Sequence, residues 1–332
     1  MSQDVSEVWI VPPDLTGKTL SAGLRKFCPE KTWSQVRRLI DAYRVTVNRT
    51  LELDESRRLT AGEQIAVLSC PLPPPPDDDD VVVRYFDDSL VVVEKPTGML
   101  SLRHIQELNW PPPRRRRQTS LDEVVLRAIS QREQHPRDLS TQPPHLRRRH
   151  LRSVHRIDRD TSGLLVFART PAARKHLVEQ FSSHTIRRRY LAVVSGQPPI
   201  GEIRTRLVRD RGDGRRGSTT SATDGKAAVT FVRHVEVLGN FSLVQCELET
   251  GRTHQIRIHL AECGFPVCGD WMYRAPAGAP DIADESNSPR LALHASELAF
   301  GHPVSGEEIC FEADLPPDLS RLIEELRNRI SA

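Results

Sequence analysis

The stretch His155-Arg156-Ile157-Asp158-Arg159-Asp160-Thr161-Ser162-Gly163-Leu164 joins a highly charged segment to an apolar run at residues 164–167. An unbroken apolar run of this length, next to glycine and charged residues, is typical of a buried strand. Asp158 therefore lies where the chain enters a buried strand. An aspartate in that position is often a cap or turn residue, and it is equally a candidate for a catalytic carboxylate. From this segment alone, both interpretations stay open.

The order His155, Arg156 and then Asp158 is similar to the catalytic loop of protein kinases, but its spacing excludes that class. In kinases the aspartate follows the histidine by two residues, whereas Asp158 follows His155 by three. The sequence also has no D-F-G, no P-loop, no H-E-x-x-H zinc motif and no G-x-S-x-G turn. The simplest enzymatic interpretation that remains is carboxylate chemistry without a metal.

The charge of the chain is unevenly distributed, although the net charge over 332 residues is only +3. Arginine occurs in runs at residues 114–117, 147–149 and 187–189, while four aspartates occupy 77–80. Clustered arginine is an electrostatic footprint of phosphate binding. A single run would serve solubility equally well, but three separate runs favour RNA or DNA as a partner.

The composition predicts an intracellular, globular protein. The six cysteines are scattered without a C-x-x-C pair, which is typical of reduced, mostly buried thiols and gives no convincing zinc site. No apolar stretch approaches the roughly 20 residues that span a bilayer, and residues 1–5 do not resemble a secretory signal. We therefore expect a cytoplasmic location, no membrane association, no metal and no cofactor.

A proline run followed by an acidic run marks a division of the chain at residues 71–80. Polyproline is extended, and a block of like charges repels itself, so this segment is predicted to be a linker. It would separate a small N-terminal domain, residues 12–70, from a large C-terminal domain, residues 81–332.

The small domain is predicted to combine helices with short strands. Apolar residues from Trp33 to Ile40 recur at helical spacing, with Ser34 as the expected cap. Three basic residues lie around this helix, namely Lys31, Arg37 and Arg38. This arrangement suits an RNA-docking module, and on composition alone a protein-contact domain is an equal alternative.

The large domain is predicted to be α+β around a mixed, mainly antiparallel sheet, because strand candidates outnumber helices and do not alternate with them. The predicted strands are residues 81–85, 90–93, 164–167, 190–194, 227–237, 241–248 and 291–295. Helices are predicted to begin near residues 120 and 171 and to cover 253–263 and 317–330. Residues 134–150 and 209–226 are predicted to be exposed loops.

Two further polar positions interrupt apolar patterns. Arg257 lies between Ile256 and Ile258 on the predicted helix, and an arginine is rarely buried without a partner. It needs a carboxylate, and Asp158 is a candidate that it would hold ionised. Tyr190 follows the third arginine run at the start of a strand, where an ordinary aromatic residue at a sheet edge is an equally common explanation.

The chain closely resembles the RluA family of pseudouridine synthases. The segment around Asp158 resembles the family signature, and four other segments match in the family's order. They are Glu94-Lys95-Pro96-Thr97-Gly98, residues 188–196 with Tyr190, residues 250–260 with Arg257, and Leu293-His294-Ala295 with His302-Pro303. Together these motifs extend across about residues 81–315.

The small domain resembles the S4-like RNA-binding domain that often precedes this catalytic domain. The match is weaker there, because Tyr43 and Arg49 occupy positions where that domain usually has glycine. A residue other than glycine in a left-handed turn costs about 1 kcal/mol.

The resemblance implies an enzyme that turns uridine in RNA into pseudouridine, without a cofactor. Asp158 would be the catalytic carboxylate, acting on the ribose or on the base, and Arg257 its ion-pair partner. Tyr190 would stack on the flipped uracil and help to remove its proton, and Arg156 would brace the vacated position in the RNA. The arginine runs, with Arg188, would hold phosphates.

The expected partner is structured RNA, with large-subunit ribosomal RNA favoured, transfer RNA as an alternative and no obligate protein partner. The rival function from another class is a non-catalytic RNA-binding protein that kept the fold. A carboxylate-dependent hydrolase is a third interpretation, for which the order of the motifs has no counterpart.

Overall fold

The computed structural model describes residues 5–48, 50–103, 115, 118–133 and 151–330. Arg49, most of the arginine run at 114–117, the whole run at 147–149 and the predicted loop at 134–150 lie outside the described residues. The chain forms two compact units, Met1–Pro75 with Ile105–Gln118 and Pro76–His104 with Thr119–Ala332.

The described part of the first unit combines two α-helices with a four-stranded antiparallel sheet. The helices are α1 (Leu20–Phe27) and α2 (Trp33–Asp41). The strands are β1 (Val5–Ile10), β2 (Val45–Val47), β3 (Thr50–Leu51) and β4 (Gln64–Leu68), in the order β1-β4-β2-β3. The sequence patterns did not predict β1, which pairs with β4 and so extends the sheet to residues before position 12.

The start of α2 differs from the prediction. Thr32, not Ser34, caps the helix: its hydroxyl accepts a bond of 3.3 Å from the Gln35 amide, and the Gln35 side chain accepts one of 2.7 Å from the Thr32 amide. Trp33 is 60% exposed, so it is not part of the buried face, which is formed by Val36 and Ile40.

Tyr43 keeps the left-handed conformation that the resemblance assigns to a glycine. Its φ of 57° lies in the left-handed region, directly after α2. Its amide donates to the carbonyl of Ile40, and its own carbonyl accepts from the amide of Leu72. The turn is therefore retained despite a strain of about 1 kcal/mol.

The second unit is built on a large sheet. Its strands are β5 (Val82–Phe86), β6 (Leu90–Lys95), β7 (Arg152–Ser153), β8 (Ser162–Ala168), β9 (Arg187–Ser195), β10 (Gly201–Val208), β11 (Gly217–Ser218), β12 (Lys226–Leu238), β13 (Phe241–Leu248), β14 (Leu293–Gly301) and β15 (Glu308–Glu312). Within the described residues the order is β11-β10-β12-β13-β9-β14-β8-β6-β5, with β7 on β8 and β15 on β14.

Four helices accompany this sheet in the described part of the second unit: α3 (Leu121–Glu133), α4 (Pro171–Ser182), α5 (Gln255–Glu262) and α6 (Pro317–Ile330). In that part, β8 and β14 pair in parallel and the other recorded strand pairs are antiparallel. The predicted α+β class with a mixed, mainly antiparallel sheet is confirmed.

The apolar run after Asp158 forms the buried strand that was predicted there, β8, and both of its faces are buried. Leu165 and Phe167 belong to a core cluster that includes residues of α3, α5 and α6. Leu164 and Val166 belong to a second cluster, which includes residues of α4. The alternation follows from the two-residue period of a strand, and it fixes the point at which the Asp158 loop enters the sheet.

A glycine brings β8 against β14. In the parallel pair, Gly163 lies opposite Ala295, and a Cβ on residue 163 would be 2.2 Å from the Ala295 carbonyl oxygen. Gly163 also has a φ of 111°, which other residues rarely adopt. Backbone therefore meets backbone five residues after Asp158.

Two predicted segments of the second unit need correction. The loop predicted at 209–226 contains the short strand β11, paired with β10. The helix predicted at 253–263 begins at Gln255, because His254 has a left-handed backbone with φ 60° and ψ 19°. Among the described residues, none of the helices has the length and apolar character needed to cross a bilayer.

Candidate active site

A cleft of about 400 Å³ opens in the second unit beside the Asp158 loop. Its walls come from that loop, from the start of β9, from the end of β13 and from the start of α5. The predicted site residues that line it are Arg156, Asp158, Arg188, Tyr190 and Arg257. The fold thus brings together residues from three separate motifs of the sequence.

The end of β6 and the turn that follows it hold the Asp158 loop in place through hydrogen bonds. The Lys95 ammonium donates bonds of 2.8 Å to the carbonyls of Pro96, Met99 and Arg159. The Thr97 hydroxyl donates to the carbonyl of Asp160 at 2.8 Å. Burial lowers the pKa of Lys95 to about 7, although the charges of Asp160 and Asp158 oppose the shift. The two sequence motifs therefore form one bonded structure.

Asp158 lies at the cleft surface with 18% of its side chain exposed. Its Oδ2 is 3.7 Å from Nη1 of Arg257, and its Oδ1 is 3.9 Å from Nε2 of His254. His254 is the residue before α5, and Arg257 lies in the first turn of that helix, so both side chains approach the carboxylate from the same helix end. The carboxylate therefore faces a side-chain nitrogen at each of its oxygens.

Arg257 does lie beside Asp158, but Asp270 is its main partner. Nε and Nη2 of Arg257 donate to the two oxygens of Asp270 at 2.6 and 2.8 Å, and both side chains are buried. Burial by itself lowers the pKa of Arg257, but the bonds and charge of Asp270, with a further contribution from Asp158, raise it above its usual value. The guanidinium is thus held charged and fixed in place, with Nη1 left towards Asp158.

The helix that carries Arg257 is anchored to the sheet by two buried polar side chains. Gln255 donates to the Val229 carbonyl and the Thr230 hydroxyl at 2.9 and 3.0 Å. The two ring nitrogens of His259 each lie 2.9 Å from a hydroxyl, of Thr230 and of Thr205. These bonds fix the start of α5 against β12 and β10.

Tyr190 forms part of the cleft wall and is only 8% exposed. It lies on β9, which pairs with β13 on one side and with β14 on the other. Burial, with the nearby charge of Asp158, raises the pKa of Tyr190, although Arg188 opposes the shift. The side chain is therefore a neutral phenol at neutral pH.

Arg188 lies inside the cleft rather than on the outer surface. Its Nη2 donates to the carbonyls of Leu248 and Glu249 at 3.2 and 3.0 Å, and its guanidinium lies 5.3 Å from the centre of the Phe181 ring. Burial lowers its pKa, an effect that Tyr190 opposes. Phe181 also stacks on His155 at 4.7 Å, so the arginine is part of an ordered wall.

The remaining predicted site residues are Arg156 and the three basic residues of the small domain. Arg156 is exposed at the cleft. Lys31, Arg37 and Arg38 belong to the first unit. Within it Lys31 pairs with Glu30, and Arg37 donates to Glu55 at 2.8 Å.

Sequence reasoning missed three residues of this site: His254, Asp270 and Tyr273. Asp270 accepts the amides of Met272 and Tyr273 as well as the Arg257 side chain. One signal was available, because a buried arginine needs a carboxylate and Asp270 is the second acidic residue after it in the sequence.

The comparisons with known proteins agree with this geometry. The family model described as RNA pseudouridylate synthase matches residues 89–262, slightly more than half of the chain. Ribosomal large subunit pseudouridine synthase D of Neisseria meningitidis is 36% identical over 326 residues, which cover 96% of this chain and 81% of the relative.

Other matches are partial. The protein of the same name from Zymomonas mobilis is 42% identical over 175 residues, which cover 52% of this chain and 55% of that relative. The chain thus spans about half the length of this relative. The solved structure titled Human RNA Pseudouridylate Synthase Domain Containing 4 has a TM-score of 0.56 and 21% identity, covering 74% of this chain and 93% of that one, which supports the fold alone.

The chain belongs to the family of RNA pseudouridylate synthases. This confirms the family membership that the sequence motifs predicted.

Proposed function

We propose that the chain isomerises uridine to pseudouridine in large-subunit ribosomal RNA, with Asp158 as the catalytic carboxylate. The single observation that carries the proposal is the placement of Asp158 at the surface of a cleft that Tyr190 also lines, with Nη1 of Arg257 3.7 Å from its carboxylate. A carboxylate at such a position can act as a nucleophile or as a base, and the guanidinium of Arg257 is fixed beside it.

The remaining residues suit a flipped nucleoside. A target base must leave its stack to reach an enclosed carboxylate, at a cost of a few kcal/mol. Tyr190 offers an aromatic face in the cleft wall for the base to stack on. Because its pKa is raised by burial, stacking fits Tyr190 better than proton removal by a phenolate.

The basic residues of the cleft suit the RNA backbone and the vacated position. Arg156 is exposed at the cleft and is proposed to brace the RNA where the uridine has left. Arg188 is buried and held by two backbone carbonyls, so it is proposed to present a fixed positive charge to the target nucleotide. Such contacts position the substrate without reading sequence.

The choice of ribosomal RNA rests on the relatives from Neisseria meningitidis and Zymomonas mobilis, whose names specify the large ribosomal subunit. Transfer RNA is the alternative target. The proposal includes action in the cytoplasm, without a cofactor and without an obligate protein partner.

The test is a map of pseudouridines in ribosomal and transfer RNA from cells with the wild-type gene, without it, or with Asp158→Asn. We expect at least one large-subunit site to be lost without the protein and not restored by the variant. Purified Asp158→Asn should bind the RNA with unchanged affinity. An unchanged map would overturn the proposal and favour a non-catalytic RNA-binding protein.

We also propose that the predicted small domain, residues 12–70, docks RNA and is linked through 71–80 to the catalytic domain, residues 81–332. Arg38 is exposed on α2, and a phosphate contact there would add to the salt dependence of binding. Arg38→Gln in the full chain should weaken RNA binding and reduce its salt slope by about 1. Lys226→Gln, which removes an exposed charge from the second unit, is the matched control.

A further inference from the structure

His254 has an unusual conformation next to Asp158. It is the residue before α5, and its φ of 60° places it in the left-handed region. A histidine in this region costs about 1 kcal/mol or more, and such strain persists where the surrounding structure enforces it. The conformation directs the ring into the cleft, which His254 lines.

The ring of His254 lies between two groups. Its Nδ1 is 2.8 Å from the hydroxyl of Tyr273, and its Nε2 is 3.9 Å from Oδ1 of Asp158. Tyr273 is itself buried and fixed, because its amide donates to Asp270 and its ring lies 5.1 Å from the Arg257 guanidinium. These contacts therefore form a closed series that runs from Asp158 to His254, Tyr273 and Arg257 and back to Asp158.

The charges decide which nitrogen of His254 carries the proton. A neutral ring with its proton on Nδ1 would turn the lone pair of Nε2 towards the carboxylate of Asp158, which is repulsive. With the proton on Nε2, the ring donates towards Asp158 and accepts from the Tyr273 hydroxyl. Burial raises the pKa of Tyr273 to about 12, so this hydroxyl keeps its proton. A partner at one ring nitrogen commonly fixes the function of the other.

We propose that His254, oriented by Tyr273, is a positioning residue that holds Oδ1 of Asp158 while Arg257 holds Oδ2. The distance of 3.9 Å is too long for a hydrogen bond, and catalytic bonds of this kind often tighten only when the substrate fills the site. The inference rests on the proposed function, because it concerns the orientation of the same carboxylate during the reaction.

The electrostatic surroundings are compatible with a neutral ring. Burial lowers the pKa of His254, and the charge of Asp158 opposes the shift. The other charged or titratable groups that act on His254, Tyr273 or Asp158 are Arg257, Asp270, Arg216, Lys95 and Tyr190.

The test compares variants of His254 that separate the side chain from the strained backbone. Glycine and asparagine both tolerate the left-handed region, so His254→Gly and His254→Asn remove the ring while they relieve the strain. We expect kcat to fall roughly ten- to a hundredfold, the range for a bond to a charged group, with KM for RNA and the melting temperature unchanged. If His254 serves only the start of the helix, both variants keep wild-type kcat, which would overturn the proposal.

A second set of variants tests the role of Tyr273. Tyr273→Phe keeps the ring against Arg257 and removes only the hydroxyl, so kcat should fall about tenfold at constant KM. Combined with His254→Asn, it should cause no further loss, since both act through one contact. The matched control is Tyr85→Phe, which removes a hydroxyl bonded to Asp87 at 3.0 Å and should keep wild-type kcat. Additive losses of kcat in the double variant would contradict the proposal that Tyr273 acts through His254.

Failure of this inference is distinguishable from failure of the proposed function. If the wild type forms pseudouridine and Asp158→Asn does not, the proposed function stands whatever the His254 variants do. If the wild type forms no pseudouridine in any of the RNAs tested, the proposed function fails first.

Discussion

The ammonium nitrogen of Lys95 lies 2.8 Å from the carbonyl oxygen of Arg159, the residue that follows Asp158. The Gly98 amide donates to the same oxygen at 2.9 Å. On the other side of Asp158, the Ser101 hydroxyl donates to the Ile157 carbonyl at 2.7 Å. The backbone on both sides of Asp158 is therefore held by one turn that precedes it by about sixty residues in the sequence.

The substitution Lys95→Met tests this support. It leaves the carbonyls of Pro96 and Met99 without the buried ammonium donor and weakens the hold on Arg159. We expect the free energy of unfolding to fall by about 2 kcal/mol and kcat to fall because the backbone beside Asp158 is held less firmly. Thr97→Val, which removes a single bond to Asp160, is the milder control, at about 1 kcal/mol. Denaturant titration and single-turnover rates measure both effects, and wild-type values for Lys95→Met would refute the role.

The substitution Asp270→Asn tests the partner of Arg257. Breaking a buried ion pair leaves an uncompensated charge, so the free energy of unfolding should fall by about 3 kcal/mol, and kcat should also fall. The control is Asp318→Asn, which removes an equally bidentate partner, that of Arg290, at a half-exposed position. That variant should lose about 1 kcal/mol or less and keep its kcat. Equal losses of kcat would show that Asp270 has no special role.

A pair of glycine substitutions tests the contact between β8 and β14. In Gly163→Ala the new methyl group meets the backbone of Ala295, and the φ is strained, so stability should fall by more than about 3 kcal/mol. In Gly251→Ala the methyl group would lie 2.5 Å from Nη1 of Arg188, the end of a side chain that can move. We expect a loss of about 1 kcal/mol there, with a higher KM for RNA. The same thermal shift for both variants would be inconsistent with this contact.

Stability should decrease in mild acid because of buried histidines. Burial lowers the pKa of His259 to about 4, below the value near 6.5 of the unfolded chain. Between these values the unfolded state binds a proton that the folded state does not bind. The contribution of the neutral His259 to the free energy of unfolding is therefore fully present above pH 6.5 and is lost as the pH falls towards 4. At pH 5 the loss relative to pH 7.5 is about 2 kcal/mol.

His259→Gln isolates this effect, because glutamine does not titrate. Denaturant titrations at pH 7.5 and pH 5 should show a smaller difference for the variant than for the wild type. Part of the difference should remain, since burial also lowers the pKa of His155 to about 3 and that of His294 to about 4. An identical difference in both proteins would exclude His259 as a source.

Local patterns were enough to predict much of the second unit. The predicted strand at 241–248 coincides with β13 (Phe241–Leu248), and the helix predicted at Pro171 begins there, with Thr170 as its cap. In these segments the signals that define the element are local: the apolar residues that set its spacing and the residue that caps it lie close together in the sequence. The same holds for β8, whose burial was indicated by a continuous apolar run.

Contacts between distant residues were not predictable in this way. A buried Arg257 requires a carboxylate partner, but no local sequence pattern shows whether that partner is Asp270 or Asp158. The left-handed turn at His254 also leaves no pattern, because histidine gives no sign of it where glycine would. Strand β1 was missed for a related reason, since the strand that pairs with it begins at Gln64, more than fifty residues later.

The position of β14 in the sheet has a consequence for the newly made chain. This strand lies between β9, which carries Tyr190, and β8, which follows Asp158. Until residues 293–301 have been synthesised, the sheet consists of two separate halves, one with the aspartate and one with the tyrosine and the arginine of α5. Since domains form as the chain emerges, residues 293–301 must be made before this sheet can bring Asp158 and Tyr190 together.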